Sequence, residues 1–193
     1  MNCHFRINAD SVFFDIYNLL SQKVPFWPEF GTLLGIYREG DFMKHDFDFD
    51  FGAFTEDADT IVSILLNNGF IITHEFVGID NPQIRECTFK YKGINIDFFF
   101  FIKNDTFDCF TFHPLEIHSD NKKNRYKIKP FKFPAFTLKK AEFKGISILL
   151  PEDTKSHLIY SYGENFMIPD PNFKSIHHEY LQNTFAREIQ IIH

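Results

Sequence analysis

The chain has little cysteine: three residues in 193, Cys3, Cys87 and Cys109, widely scattered and with no Cys-x-x-Cys pair. That set supports neither a disulfide framework nor a zinc knuckle. A basic excess is missing too. The formal net charge is −6, whereas a dedicated nucleic-acid binder carries a positive balance, so no nucleic-acid partner is expected. No apolar run approaches the length of a membrane span, because the patch over 96–102 is interrupted by Asp97 and is strand-sized. No amino-terminal segment reads as a signal peptide, and there is no internal repeat, low-complexity tract or clear linker. These absences predict a soluble, cytoplasmic protein whose 193 residues form a single domain, 1–193, with a real core. Phenylalanine, by contrast, is plentiful: 27 residues within an ordinary hydrophobic share of 44%. Its codons are rich in A and T, so base composition accounts for the excess as well as an aromatic binding surface does.

Phe13, Ile16, Tyr17, Leu20 and Val24 recur at helical spacing and predict an amphipathic helix over 11–23, ended by Pro25 and Pro28. Residues 26–30 read as a short strand entering the Gly31 turn, 32–38 as a short helix, and about 47–53 as a strand. Thr55 is the expected cap of a helix with an acidic first turn, Glu56, Asp57 and Asp59. Ala58, Ile61, Val62, Leu65 and Leu66 form its buried stripe, and Gly69 stops it. Strands are expected over 70–77, 84–91 and 94–102, with a tight hairpin at Lys92-Gly93 joining the last two. A further strand over 107–112 precedes a polar loop, 116–124. Pro151 is expected to open a helix that reaches Tyr162 and stops at Gly163, and 176–190 to form a last helix. Helices mixed with antiparallel hairpins predict an α+β (mixed α/β) fold built on a mixed sheet.

The chemistry is concentrated in HDFDFDFG, residues 45–52. Side chains of a strand alternate between faces, so Asp46, Asp48 and Asp50 share one face and Phe47, Phe49 and Phe51 the other. Phe suits a half-buried strand; Asp does not. Two carboxylates about 5 Å apart repel by roughly 3 kcal/mol at an effective dielectric near 20. A hard divalent cation, bound through carboxylate oxygens and substrate phosphates, removes that penalty. A second acid, Asp97, interrupts an apolar strand, where an ionised carboxylate is costly without a partner. If that strand lies beside 47–53, Asp97 completes a site begun by Asp48 and Asp50; otherwise it faces solvent on an edge strand.

A glycine–small-residue turn, an Asp-x-Asp strand and a distant apolar–Asp–apolar strand together resemble the nucleotidyltransferase fold. At GTLLGIYREGDFMKHDFDFDFG the likeness narrows to the LicD/fukutin family of phosphosugar- and phosphocholine-transferring enzymes. It runs through Gly31, Leu33, Leu34, Gly35 and Arg38 to Asp46, Asp48, Asp50 and Gly52, and returns at Pro151, Tyr162, Gly163 and Pro169. The sequence departs where the family usually has Ile-Pro-Trp: here Met43, Lys44 and His45 precede the aspartates, and Phe47 replaces a polar residue. Those departures bear on donor or acceptor preference rather than on the metal site. The resemblance implies a nucleotidyltransferase-like mixed sheet flanked by helices. It also implies transfer of a phospho-group such as phosphocholine or ribitol phosphate from a CDP-linked donor to a glycan acceptor, in surface-glycan (capsule or lipopolysaccharide) biosynthesis. Mg²⁺ or Mn²⁺ is the implied cofactor, held by Asp48, Asp50 and Asp97, and Asp97 is also a candidate for taking the acceptor's proton. Work alongside a partner glycosyltransferase fits the same picture.

Further candidates surround these carboxylates. Gly31, Thr32 and Gly35 let a backbone approach phosphate, although glycines in a turn are ordinary. Arg38 can pair bidentately with phosphate or form a surface ion pair with a nearby acid. His45 precedes the aspartates and Asp46 opens their row, so both are expected to touch substrate. Arg125, Lys127 and Lys129 alternate with Tyr126 and Ile128 in the one concentrated basic stretch, which either holds an anionic donor or glycan or is simply a solvated face. Tyr162 and Gly163 are read as shaping the acceptor side. Two other readings use the same residues: a nucleotidyltransferase that attaches NMP to a small molecule or protein, and a catalytically silent ligand-binding domain.

Overall fold

The structure, a computed structural model, describes residues 3–103, 108–115, 125–173 and 185–188. In chain order the elements are α1 (Cys3–Leu20), β1 (Phe26–Pro28), α2 (Phe30–Glu39), β2 (Asp48–Phe54), a 3-10 turn at Thr55–Asp57 and α3 (Ala58–Asn67). There follow β3 (Ile71–Gly78), β4 (Arg85–Tyr91), β5 (Ile94–Lys103), β6 (Asp108–Leu115), β7 (Arg125–Pro134), β8 (Leu138–Phe143), β9 (Ile146–Pro151), α4 (Thr154–Tyr162) and β10 (Phe185–Glu188). Among the described residues, no helix is long and apolar enough to cross a membrane.

Eight strands form one mixed sheet in the order β1-β2-β5-β4-β3-β10-β7-β6, and β6 pairs back onto β5 at Ile102 and Lys103. The antiparallel pairings of β5, β4, β3, β10, β7 and β6 therefore close into a ring, with β2 and β1 added beside β5. Strands β2 and β5 run parallel, Asp50 opposite Asp97 and Phe51 opposite Phe98. A parallel pair needs a long crossover, supplied here by α3 and the β3–β4 hairpin. Strands β8 and β9 form a separate two-stranded ribbon.

The alternation in β2 sends Phe49 and Phe51 to the face covered by α1. Phe51 meets Phe98 at 5.3 Å between ring centroids and Phe26 at 5.5 Å, and Phe49 meets Phe5 at 5.0 Å. Helix α1 begins well before residue 11 because Phe5, Ala9, Val12 and Ile16 continue the buried stripe toward the amino terminus. Two hairpin lysines secure its polar side. Lys92 Nζ lies 2.6 Å from Asp15, while Lys144 Nζ reaches Asp10 at 2.8 Å and Asp41 at 2.6 Å. Both hairpins turn through Lys-Gly with positive φ at each residue (Lys92 47°, Gly93 82°; Lys144 49°, Gly145 81°), the twist that two-residue hairpins require.

Four local expectations are corrected. Leu66, expected in the buried stripe of α3, is exposed; Ala58, Ile61 and Leu65 are the buried residues of that helix. Thr55 does not cap a helix: its hydroxyl donates to the Gln83 carbonyl at 2.8 Å, and a 3-10 turn precedes α3. Pro151 ends β9 rather than opening α4, whose start is capped by Asp153 accepting from the Ser156 N–H at 3.0 Å. Of the helix expected over 176–190, residues 185–188 are instead β10, inserted between β3 and β7; the rest lies outside the described residues, as does the loop 116–124.

Phe51 is fully buried between β5 and α1, so Phe51→Ala is expected to cost about 3–5 kcal/mol, read from the midpoint of urea unfolding.

Candidate active site

The other face of β2 and β5 changes character along its length. At the beginning of the strands stand Asp48 and Asp50 beside Asn95 and Asp97; further along come Gly52 and Phe54 beside Phe99 and Phe101. The division falls at Trp27, which is registered opposite Gly52 on β1. A Cβ at Gly52 would lie 2.5 Å from the indole ring, so glycine is required for Trp27 to lie flat on the strand. The indole then closes an aromatic cluster with Phe54, Phe99, Phe101 and Phe133, and the acidic half lies against the start of α2.

Asp50 is held from several directions. Its side-chain Oδ2 accepts the Gly31 N–H at 3.0 Å, its own N–H donates to Thr32 Oγ1 at 2.8 Å, and its carbonyl accepts from the Glu29 N–H at 2.9 Å. A Cβ on Gly31 would meet Asp50 Oδ2 at 3.1 Å, which explains the glycine. Gly35 has a different local reason: a side chain there would meet the Met43 backbone nitrogen at 2.9 Å and the Asp41 carbonyl at 3.0 Å, so the residue lets α2 pack on the loop ahead of β2.

The electrostatics follow from this crowding. Burial pushes the Asp50 carboxyl well above the usual range, and the charges of Asp97 and Asp48 push it further, against the Gly31 hydrogen bond that lowers it. Burial also raises Asp48. Asp46 rises to about 7, through burial first and then the charges of Asp48 and Glu39. Among the described residues, no three Asp, Glu, His or Cys side chains form a ready-made metal cage. The donor set nonetheless fits a hard divalent ion of the Mg²⁺ type, which takes one or two carboxylates and completes its shell with water and substrate phosphates. Asp50 and Asp97 stand opposite one another in the parallel register, and burial disfavours the ionised form of Asp50.

The remaining sequence candidates distribute unevenly. Thr32 is buried beneath Asp50, and His45 is exposed in the turn before β2. Arg38 pairs with Glu39 at 3.2 Å, the ion pair that was the alternative to phosphate binding, and also donates to the Phe166 carbonyl at 3.5 Å and to Met43 Sδ at 3.0 Å. Its charge still bears on Asp46, lowering it. Arg125, Lys127 and Lys129 alternate along β7, which pairs with β10 and β6 and not with β2 or β5; their side chains lie outside the described set. The Tyr162 phenol, at the end of α4, is pushed well up by burial and then by the charges of Asp50, Glu29 and Asp46.

Three residues at the site carried no sequence expectation of a role. Glu29, fully buried, accepts from Trp27 Nε1 at 2.7 Å and from the Phe30 N–H at 3.2 Å, and lies 2.8 Å from His157 Nε2. Phe30 follows with φ of 40°, a left-handed conformation costing roughly 1–2 kcal/mol for an L-residue. An acid directly before the Gly-Thr turn was the available signal for Glu29. His157 is 128 positions away and had none.

A sheet carrying paired strand carboxylates beside a helix amino terminus is the architecture of nucleotidyltransferases. The lincomycin-bound crystal structure of the lincosamide antibiotic adenylyltransferase LnuA matches it with a TM-score of 0.50, over 78% of this chain and 83% of that one, at 13% identity, a likeness of fold alone. The profile of the LicD/FKTN/FKRP nucleotidyltransferase domain matches residues 23–153, and the chain belongs to that transferase family. Ribitol-5-phosphate transferase FKTN from Homo sapiens and from Macaca fascicularis are each 30% identical to it over 148 residues, 76% of this chain. The chain spans about 30% of the length of those relatives.

The Asp46 shift has a pH consequence. Its folded-state pKa, about 7 instead of 3.8, means that the protonated group favours the fold below the unfolded value, and that this contribution is lost as pH rises through 7. In divalent-free buffer Asp46→Asn is expected to unfold about 2–4 °C above wild type at pH 8 and to coincide with it at pH 4, by thermal melting at the two pH values.

Proposed function

We propose that the chain is a metal-dependent phosphotransferase that moves ribitol phosphate, phosphocholine or a similar group from a CDP-activated donor to a glycan hydroxyl, with release of CMP. The observation that carries this reading is the registration of Asp50 beside Asp97 on parallel strands, with the Gly31 N–H at the start of α2 bonded to the Asp50 carboxylate. Its relatives' name, ribitol-5-phosphate transferase, supports the substrate class.

A divalent ion held by Asp48, Asp50 and Asp97 would neutralise the carboxylates and the donor diphosphate and orient the leaving group. The protein's own groups divide the remaining tasks. The amino end of α2 presents partial positive charge to the donor phosphates. Asp97 takes the proton of the acceptor hydroxyl. That oxygen bonds to the β-phosphorus as the bond from phosphorus to the CMP oxygen breaks. In this reading Arg38, His45 and Asp46 line the donor's approach, and the alternating Arg125, Lys127 and Lys129 hold the diphosphate or an anionic glycan. Two carboxylates that repel one another are a poor choice for stability and a good one for gathering a cation.

Purified protein with Mg²⁺, CDP-ribitol or CDP-choline and a glycan acceptor is expected to release CMP. Asp48→Ala and Asp50→Ala are each expected to lower kcat at least a thousandfold while keeping or raising the melting temperature. Pyrophosphate in place of CMP, with the nucleotide left on the acceptor, assigns nucleotidyl transfer instead. Binding of nucleotide that is indifferent to Mg²⁺ and Mn²⁺, with no turnover, assigns a silent binding domain.

A further inference from the structure

Glu29 and His157 belong to none of the groups assigned to substrate or metal, yet they form a buried hydrogen-bonded contact whose connections run into the site. Both carboxylate oxygens of Glu29 face His157 Nε2, at 2.8 and 3.0 Å. The imidazole is held in turn: it stacks on Phe133 with centroids 4.3 Å apart and planes within 9°, and Phe136 packs edge-on at 4.9 Å. Glu29 also accepts the indole N–H of Trp27 and the N–H of Phe30. Its backbone is engaged as well, the N–H donating to the Asp50 carbonyl and the carbonyl accepting from Leu33 at 3.1 Å.

Residues 29, 31 and 32 thus each make one hydrogen bond to Asp50, two to its backbone and one to its carboxylate. Between them sits Phe30 in the left-handed region, a conformation that persists only where its surroundings over-determine it. Glu29 supplies that constraint, and His157 fixes Glu29. We propose that the Glu29–His157 pair is a positioning device: it locks the start of α2 so that the Gly31 N–H and the Asp50 carboxylate stay aligned for transfer, and it couples α4, with Tyr162 at its end, to that alignment. The inference rests on the phosphotransferase reading for its kinetic consequence and on metal affinity for the rest.

His157→Phe keeps an aromatic ring against Phe133 and Phe136 but gives Glu29 no donor; His157→Gln restores an amide donor. Both are compared with wild type by thermal melting, by calorimetric titration with Mn²⁺ alone, and by CMP release, all well below the lowest melting temperature. His157→Phe is expected to lower kcat at least tenfold with the donor KM within threefold, and to weaken Mn²⁺ binding at least threefold; His157→Gln is expected to recover both to within threefold of wild type. A lower melting temperature alone, with kcat and Mn²⁺ affinity within twofold of wild type, makes the contact purely structural and overturns the proposal. If His157→Phe does not fold, Glu29→Gln, which sets an NH₂ group against one of the donors, takes its place with the same expected losses and the same overturning result. Wild-type protein that binds Mn²⁺ but releases no CMP defeats the phosphotransferase reading and leaves positioning to be decided by the Mn²⁺ affinities. Wild-type protein that does neither defeats both.

Discussion

Two like charges fixed side by side on neighbouring parallel strands govern the design of this domain. Asp50 and Asp97 cannot move apart, because the register that opposes them also opposes Phe51 and Phe98 on the reverse face. A slip of one residue would turn the acids into the aromatic layer under α1 and carry the phenylalanines to the open face. The repulsion therefore cannot be relieved by sliding the strands. What remains is protonation, visible in the raised Asp50 and Asp46, or a cation. A sheet built in this way uses the packing on one face to hold two carboxylates together on the other.

That arrangement also accounts for the abundance of phenylalanine. Strand β5 is covered on both sides, so Phe98 and Phe100 serve the α1 layer while Phe99 and Phe101 serve the cluster around Trp27 and Phe133. A strand buried on both faces loses the polar alternation of an edge strand, and four consecutive rings are the result. Among the described residues fifteen phenylalanines are buried, so the core itself is a large use for them. The acidic half of the face is thereby bounded by a wall of rings, with Trp27 and Gly52 at the boundary.

Local patterns were the legible part. The Asp/Phe alternation from Asp48 to Phe51, the Ala58, Ile61 and Leu65 part of the α3 stripe and the Lys92-Gly93 hairpin are each written within a few consecutive residues, and each formed as the residues imply. Asp46 and Phe47 instead precede the strand, and Phe47 and Leu66 are exposed. The Lys144-Gly145 hairpin uses the same turn chemistry and was legible in principle, but β8 and β9 were not anticipated from their sequence. Nonlocal demands were illegible. The segment at 185–188 extends because β3 and β7 both require an antiparallel neighbour, and such tertiary context overrides local preference. Asp97 could be suspected as an anomaly within an apolar run; its pairing with Asp50 depended on which strands became neighbours. For Glu29, even the anomaly was weak, since an acid ahead of a helix reads as an ordinary cap.

The family match ends at residue 153, just before α4, and yet α4 and the segment after it reach both ends of α2. At the amino end His157 holds Glu29, whose backbone N–H is bonded to Asp50. At the carboxyl end Arg38 donates to the carbonyl of Phe166, in the segment that follows α4. Between these points Leu33 and Leu34 of α2 pack against Leu158 and Phe166. A short helix clamped at both ends and along its flank cannot rotate without breaking a buried contact. Because the Gly31 N–H is part of that helix, its direction toward Asp50 is set from α4 as much as from the strand itself. The acids of the site thus come from the sheet, while their alignment comes from a helix packed against α2.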